Sequence, residues 1–229
     1  MSDYLQDINE ANEMGFGGLV VPCTSGNGIK CDLTTPAFGY RDIIGQIIPK
    51  STGTGTPELV ALNGTKVKKY QFAVGDKIEN ISYHIPHDYV PNSQLFIHVH
   101  WAHKGTAISG TLAGNIYATY SKGYTQAGQV FNAEKTLPFS VSTPNITTIP
   151  QRAHNIHEIE LSNVGGDATH LDTGLIETDG LIEVAFDITT IPTITGGTGF
   201  NRPFILTVDV HYQSTNMATK GRNLPFYGA

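Results

Sequence analysis

Charged side chains are scarce in this sequence. Asp, Glu, Lys and Arg make up 15% of its 229 residues, against roughly 25% in an average soluble domain. The 14 basic residues are scattered and the formal net charge is -6, whereas binding to nucleic-acid phosphates requires clustered Lys and Arg. We therefore expect no nucleic-acid partner.

Long apolar runs are also missing. A membrane-spanning helix needs about 20 consecutive apolar residues, and no run approaches that length. Residues 1–14 are acidic and polar, without the basic and apolar segments of a secretory signal. The sequence therefore predicts synthesis in a cytoplasm and no membrane partner.

Cysteine is rare, since Cys23 and Cys31 are the only two in the chain. A reducing compartment favours two free thiols over a disulfide. The pair alone also lacks two of the four ligands of a structural zinc site.

Three common enzyme signatures are absent from the sequence. It contains no G-x-S-x-G nucleophile elbow, no G-x-x-x-x-G-K-[ST] phosphate loop and no strand-then-helix setting for a dinucleotide fingerprint. These absences favour a protein that is not an enzyme.

Alternation of apolar and polar residues is abundant. In residues 94–101 one predicted face carries Leu95, Ile97, Val99 and Trp101, and the other carries Phe96, His98 and His100. Similar stretches separated by Gly, Pro, Asn and Asp are 70–74, 81–85, 111–120, 130–141, 156–161, 181–188 and 204–213. This period is typical of β-strands, and no stretch has a helical apolar period over three turns. The pattern predicts an all-β fold, an antiparallel β-sandwich of jelly-roll-like type.

Composition divides the chain into three segments. Residues 1–50 are interrupted by Gly and Pro and predict an extended N-terminal arm, which either docks on a neighbouring subunit or is a loose terminus. Residues 51–213, which begin with a Gly- and Thr-rich linker, form the β-sandwich domain. Residues 214–229 are interpreted as a C-terminal contact tail, with a frayed terminus as the alternative.

The nine histidines carry the main chemical signal. His98 and His100 lie two apart on a predicted strand, so both side chains leave the same face. Asp209 and His211 are related in the same way, and alternation predicts that they lie opposite a face formed by Phe204, Leu206, Val208, Val210 and Tyr212. A pair such as His98 and His100 is how cupin-type jelly rolls present two imidazoles to one metal ion.

A metal site would combine His98, His100, His211 and Glu158 if the fold brings their strands together. Lys104 and Gly105 occupy the positions where a cupin would carry its glutamate, which argues against a standard cupin enzyme. We expect ordinary hydrogen-bonded histidines and no cofactor, with a structural metal ion as the alternative.

Aromatic residues suggest another class of function. Sugars stack on exposed aromatic rings, so a glycan-binding jelly roll could use Trp101, Tyr117, Tyr120 and Tyr124. Aromatic residues at alternating strand positions more often belong to a core.

Several runs of the sequence resemble one family. They are Pro36–Gly45 (PAFGYRDIIG), His84–Pro91 (HIPHDYVP), Ile97–Trp101 (IHVHW) and Val208–Asn216 (VDVHYQSTN), followed by Thr219, Lys220 and Pro225–Tyr227. His154 and Glu158 also fall where that family tends to carry a His and a Glu in a strand. Together these runs resemble a poorly characterised family of virion structural proteins encoded by tailed bacteriophages and prophages.

The resemblance implies a virion structural component, made in the host cytoplasm and without established catalytic activity. We expect a capsid-associated decoration or cement protein that forms a symmetric homo-oligomer, most simply a trimer, and binds other virion proteins such as the major capsid protein. A neck or tail position in the virion is the alternative. The expected contact residues are Tyr40, Arg41, Asp42, Trp101, His103, Asp209, Lys220, Phe226 and Tyr227.

Overall fold

The computed structural model describes residues 20–22, 29–31, 40–50, 53–123, 130–142, 145–196 and 201–215. Within these ranges the chain forms strands and two short 3-10 helices, Asn145–Thr148 and Thr173–Leu175. No helix in this part of the chain is long and apolar enough to cross a bilayer. The strands are β1 (Val20–Pro22), β2 (Ile29–Cys31), β3 (Tyr40–Ile44), β4 (Ile48–Pro49), β5 (Glu58–Asn63), β6 (Val67–Gln71), β7 (Lys77–His84), β8 (Leu95–Ala102), β9 (Ala107–Ser109), β10 (Thr111–Ser121), β11 (Lys135–Ser142), β12 (Asn155–Glu160), β13 (Ser162–Asn163), β14 (Leu171–Asp172), β15 (Leu181–Thr190), β16 (Thr193–Thr195) and β17 (Phe204–Gln213).

Two large antiparallel sheets pack face to face. The first sheet has the order β11-β10-β15-β7-β4, and the second has the order β12-β8-β17-β6-β5 with β3 also paired to β17. The short strands β9, β13, β14 and β16 form separate two-stranded pairs. The other strands from β6 to β17 alternate between the two large sheets along the chain, except that β10 and β11 are neighbours in the first sheet. This connectivity, with four strands of each sheet interleaved along the chain, is that of a jelly roll. The prediction of an all-β antiparallel sandwich is confirmed.

The core lies between the two sheets and follows from the alternating sequence. β10 and β15 bury every second side chain along most of their length. The four apolar residues predicted to share one face of β8 are all buried, Leu95, Ile97, Val99 and Trp101. Because strand side chains alternate between faces, each strand gives the core one apolar row and leaves its other row outside.

Tyr83 joins the two sheets through the core. This β7 residue is fully buried, and its hydroxyl donates a 2.7 Å hydrogen bond to the backbone carbonyl of Val208 in β17. Burial, and then the negative charge of Asp209, raise the pKa of Tyr83 far above its usual range. The hydroxyl therefore remains a hydrogen-bond donor at neutral pH.

A β-bulge in β17 corrects the predicted faces of that strand. The register against β8 shifts between Ile205 and Thr207, so the side-chain alternation is interrupted at Leu206. Ile205 lies opposite Trp101 and joins the core. Phe204 is buried on the other face, where Lys104 lies 5.7 Å from the centre of its ring.

The boundary between arm and sandwich also needs correction. β3 pairs with residues 209–213 of β17, and β4 pairs with β7. Residues 40–50 therefore belong to the sandwich. β3 pairs with the part of β17 that β6 leaves free, and β4 extends the first sheet beside β7. Residues 1–19, 23–28 and 32–39 of the predicted arm, and residues 216–229 of the predicted tail, lie outside the described residues.

Asp167 organises the turn that precedes β14. One of its carboxylate oxygens accepts hydrogen bonds from the backbone N–H groups of Thr169 (2.6 Å) and His170 (2.7 Å), and the other accepts from the amide of Asn163 (2.8 Å). The bond from the Thr169 backbone is the largest cause that holds the pKa of Asp167 well below its usual range, followed by the His170 side chain. The ionised form is therefore the one that the turn stabilises.

We expect the stabilisation from Asp167 to fade in acid. A carboxyl group whose pKa is lowered by folding contributes fully above its unfolded pKa, about 3.9, and loses that contribution as the pH falls towards the folded value. Urea unfolding of the wild type and of Asp167→Asn should differ by a constant amount near neutral pH and progressively less below about pH 4. An equal difference at roughly pH 6 and pH 3 would show that the carboxylate charge does not stabilise this turn.

Candidate functional site

A cluster of ionisable side chains covers the outer face of the second sheet. β8 contributes His98 and His100, and β17 contributes Asp209 and His211. In the strand register Glu158 lies opposite His98, His98 opposite Asp209, and His211 opposite Asp42. Residues directly opposite in antiparallel strands share a face. We call the following residues the outer-face cluster: Asp42, His98, His100, His154, Glu158, Asp209 and His211.

His98 and His211 lie at the centre of the cluster. Their ring centres are 4.5 Å apart, and the ring of Tyr40 stacks on His211 at 4.8 Å. His98 donates from Nε2 to a carboxylate oxygen of Glu158 at 2.9 Å, and His211 donates from Nδ1 to Asp42 at 2.6 Å. Each central imidazole is thus oriented by one carboxylate.

Asp209 and His100 form the buried side of the cluster. Asp209 is 4% exposed, and a carboxylate in such a place needs a charged or hydrogen-bonding partner. His100 donates from Nε2 to Asp209 at 2.9 Å, and its Nδ1 lies 2.6 Å from Nε2 of His154. In the part of the chain that the structure describes, His100 is the only ion-pair partner of Asp209.

The four residues predicted to form a metal site meet in this cluster. His98, His100 and His211 are brought together with Glu158 by the order β12-β8-β17. The ligand atoms that lie within 4.8 Å of one another belong to two groups that share His98: Asp42, His98 and His211, and His98, His100 and Asp209. The sequence analysis places Asp42 and Asp209 in a subunit contact and does not name them as candidate metal ligands. The spacing of Asp209 and His211 was the available signal for one of them.

Three of the predicted contact residues are unavailable to a partner. Trp101, His103 and Asp209 are at most 4% exposed and are covered by the chain itself. Trp101 faces the core, and His103 is hydrogen-bonded to the carbonyl of Ile149 at 3.1 Å. Their assignment to a subunit contact is therefore corrected.

The other predicted contact residues fall into two groups. Tyr40 is exposed, Asp42 is bound to His211, and Arg41 forms a 3.1 Å ion pair with Asp88. Lys220, Phe226 and Tyr227 lie outside the described residues.

Asp88 is the centre of a polar network that the sequence analysis did not single out. Its carboxylate accepts hydrogen bonds from Arg41 (3.1 Å), from the hydroxyl of Tyr212 (2.9 Å) and from Ser214. These residues lie far apart in the sequence, in β3, after β7 and at the end of β17. The network therefore joins three separate parts of the chain, and it runs from the exposed Arg41 to the buried Tyr212 and Ser214.

The aromatic residues considered for glycan binding are mostly unavailable. Trp101 and Tyr120 are buried, and burial raises the pKa of Tyr120 to about 12. Tyr117 is half-buried and donates to Asp187 at 3.1 Å. Tyr124 lies outside the described residues. Within the described ranges, only Tyr117 retains part of the stacking surface that this interpretation requires.

A cupin-like metalloenzyme would place its histidines in an enclosed pocket. His98 and His100 instead point away from the core, which is filled by Ile97, Val99 and Trp101 on the other face of the same strand. The cluster is therefore a surface feature, open to ions and to macromolecules.

An apolar groove of about 460 Å³ lies beside the cluster, between β3, β5, β6 and β17. Its lining includes Ile44, which is 79% exposed, and Leu59, which is 50% exposed. Ile44 lies opposite Asp209 in the strand register, so the groove and the outer-face cluster form one continuous surface.

Comparison with known proteins assigns no family to this chain. No family model matches it, and no curated protein matches it. Among solved structures, a chain in the structure of infectious bursal disease virus Gt strain aligns with 92% of this chain at 11% sequence identity and a TM-score of 0.14. The alignment spans about half of that viral chain, 52%. A likeness this weak carries no argument about fold or function.

Proposed function

We propose that this protein is a structural component of a tailed-phage virion, a capsid-associated decoration or cement protein that acts as a symmetric homo-oligomer. The observation that carries the proposal is that the groups available for binding lie on an open outer surface, while the space between the sheets is filled by the core. Such an arrangement suits contacts between macromolecules better than it suits catalysis on an enclosed substrate.

Exposed apolar side chains support an interface at the groove. Ile44 and Leu59 line the groove and are 79% and 50% exposed, and Tyr40, on the same strand as Ile44, is 52% exposed. Contiguous apolar surface rimmed by polar residues is typical of protein–protein contacts. A second copy of this chain, or the major capsid protein, would cover these side chains and remove them from water.

The sheet edges support the same proposal. β5 and β12 are the outer strands of the second sheet, and β12 leaves Ile156 55% exposed. Open edges and exposed apolar residues favour pairing with other chains. A closed symmetric oligomer, with a trimer as the simplest case, would protect them.

A polar substitution in the groove should weaken the oligomer. We expect the full-length wild type to sediment as an oligomer, and Leu59→Glu to raise its dissociation constant roughly tenfold or more, because a charged side chain would have to be buried in an apolar contact. Val164→Glu is the matched control, since Val164 is 86% exposed on a turn that does not line the groove. Analytical ultracentrifugation gives the dissociation constants, and circular dichroism checks that both variants fold.

A stable wild-type monomer at tens of micromolar, or equal weakening by both substitutions, would contradict an interface at the groove.

Position in the virion requires a separate measurement. Quantitative mass spectrometry of purified phage particles should find many copies per particle for a decoration protein and about one ring for a neck or tail protein. Particles that lack the chain would remove the virion proposal.

A further inference from the structure

We propose that the outer-face cluster is a binding site for a divalent transition-metal ion of the zinc class, with His98, His211 and Asp42 as its protein ligands. The ligand atoms of these three residues lie within 4.8 Å of one another. Two imidazoles and a carboxylate are a donor set that zinc binds at roughly 2.0–2.2 Å. Binding would draw these donors, which lie up to 4.8 Å apart, together around the ion.

The central imidazoles offer nitrogen donors in two ways. His98 donates from Nε2 to Glu158, and a carboxylate on one ring nitrogen fixes the tautomer and leaves the other nitrogen for a metal. Among the described residues, Nδ1 of His98 has no hydrogen-bond partner, so this ring keeps a lone pair for an ion. Nδ1 of His211 and the carboxylate of Asp42 share one hydrogen bond at 2.6 Å, and an ion that displaces that proton would bind both groups.

The local charge also favours a cation. The carboxylates of Asp42, Glu158 and Asp209 meet on this face, and no Lys or Arg in the described ranges forms an ion pair with them. Their partners are the histidines of the cluster, so no permanently charged cation neutralises this negative charge, which attracts positive ions. The histidines provide the selectivity, because imidazole nitrogen suits zinc-class ions and poorly suits calcium or magnesium.

The neighbouring group of His98, His100 and Asp209 is a weaker candidate. Both ring nitrogens of His100 are already hydrogen-bonded, one to Asp209 and one to His154. Asp209 is also buried, whereas the side chains of Asp42 and His211 are 47% and 24% exposed. An ion can thus reach Asp42 and His211 from solvent, and solvent can supply a water as the fourth ligand.

An ion at this position would fasten an edge of the second sheet. Asp42 lies in β3, His98 in β8 and His211 in β17, so one ion would link three strands. β3 is held on one side only, by its pairing with β17. Zinc should therefore raise the thermal midpoint of the whole chain and slow amide hydrogen exchange in residues 40–44.

Calorimetric titration of untagged, chelator-treated full-length protein with zinc sulfate tests the proposal. We expect one zinc ion per chain in the wild type. His211→Asn should weaken binding at least roughly tenfold because it removes a ligand, and Glu158→Gln should weaken it by roughly ten- to hundredfold because it removes the group that orients His98. Cobalt in place of zinc should give the visible absorption of a four-coordinate site.

His84→Asn is the matched control. His84 also donates to a carboxylate at 2.6 Å, that of Asp179, but it lies on the first sheet and outside the cluster. This variant should bind zinc as the wild type does. Metal-free circular dichroism melts of all variants separate a loss of binding from a loss of folding.

Three results would overturn the proposal. They are a wild type that binds neither zinc nor cobalt, a folded His211→Asn variant that binds zinc as tightly as the wild type, and equal weakening by His211→Asn and His84→Asn. A His100→Asn variant tests the neighbouring group of His98, His100 and Asp209 separately. Loss of binding in His100→Asn with retention in His211→Asn would place the ion on the buried group instead and would also overturn the assignment.

Discussion

Trp101→Ala is expected to lower the free energy of unfolding by about 3–5 kcal/mol. Trp101 is 1% exposed near the C-terminal end of β8, between the paired strands β12 and β17. Removing its side chain leaves a cavity in a core that relaxes only partly. Because domains of this kind are stable by about 5–15 kcal/mol, the loss is a large share of the total.

Denaturant unfolding followed by far-ultraviolet circular dichroism measures this effect. Val164→Ala is the control, and its free energy of unfolding should stay within about 0.5 kcal/mol of the wild type because Val164 lies in solvent. Trp101 is the single tryptophan of the chain, so wild-type emission should be that of a buried indole and should shift to longer wavelength on unfolding. A Trp101→Ala variant as stable as the wild type would contradict the core position and revive a role for this residue in subunit contact.

Asp88→Ala is expected to destabilise the chain by about 2–4 kcal/mol. The carboxylate accepts hydrogen bonds from Arg41, Tyr212 and Ser214, and Ser214 is fully buried. Alanine would take this acceptor from the hydroxyl of Tyr212, a residue that is 4% exposed, and a buried donor that loses its acceptor costs about 1–3 kcal/mol. The surface ion pair of Glu79 with Lys50 is the comparison, because Glu79→Ala should cost no more than about 1 kcal/mol.

Tyr212 provides a spectroscopic readout of the same network. Burial, and then its hydrogen bond to Asp88, raise the pKa of Tyr212 to about 12. Asp88→Ala removes the second cause, so ultraviolet titration should show a tyrosine whose pKa is lower than in the wild type. A variant that keeps both the wild-type stability and the wild-type tyrosine titration would show that Asp88 does not hold β3 and β17 together.

The sequence predicts the buried face of a strand correctly where the apolar and polar residues alternate regularly within that strand. β8 buries its predicted apolar row because alternation along a strand is a local property that fixes which side chains share a face. The predicted face is wrong at the start of β17, because the bulge at Leu206 depends on how β17 pairs with β8. Residues 40–44 have no clear alternation, and pairing with β17 alone makes them a strand.

In the candidate site, too, the sequence predicts what lies within one strand and does not predict which strands meet. The spacing of His98 and His100 placed both on one face, because that spacing needs only the repeat of a single strand. The pairing of His211 with Asp42, which are 169 positions apart, follows from the order in which β8, β17 and β3 meet in the sheet. Sequence by itself determined the all-β class and the outward direction of the histidines. The tertiary structure decided which carboxylates join them, because the order of strands in a sheet depends on the packing of the whole chain rather than on any local pattern.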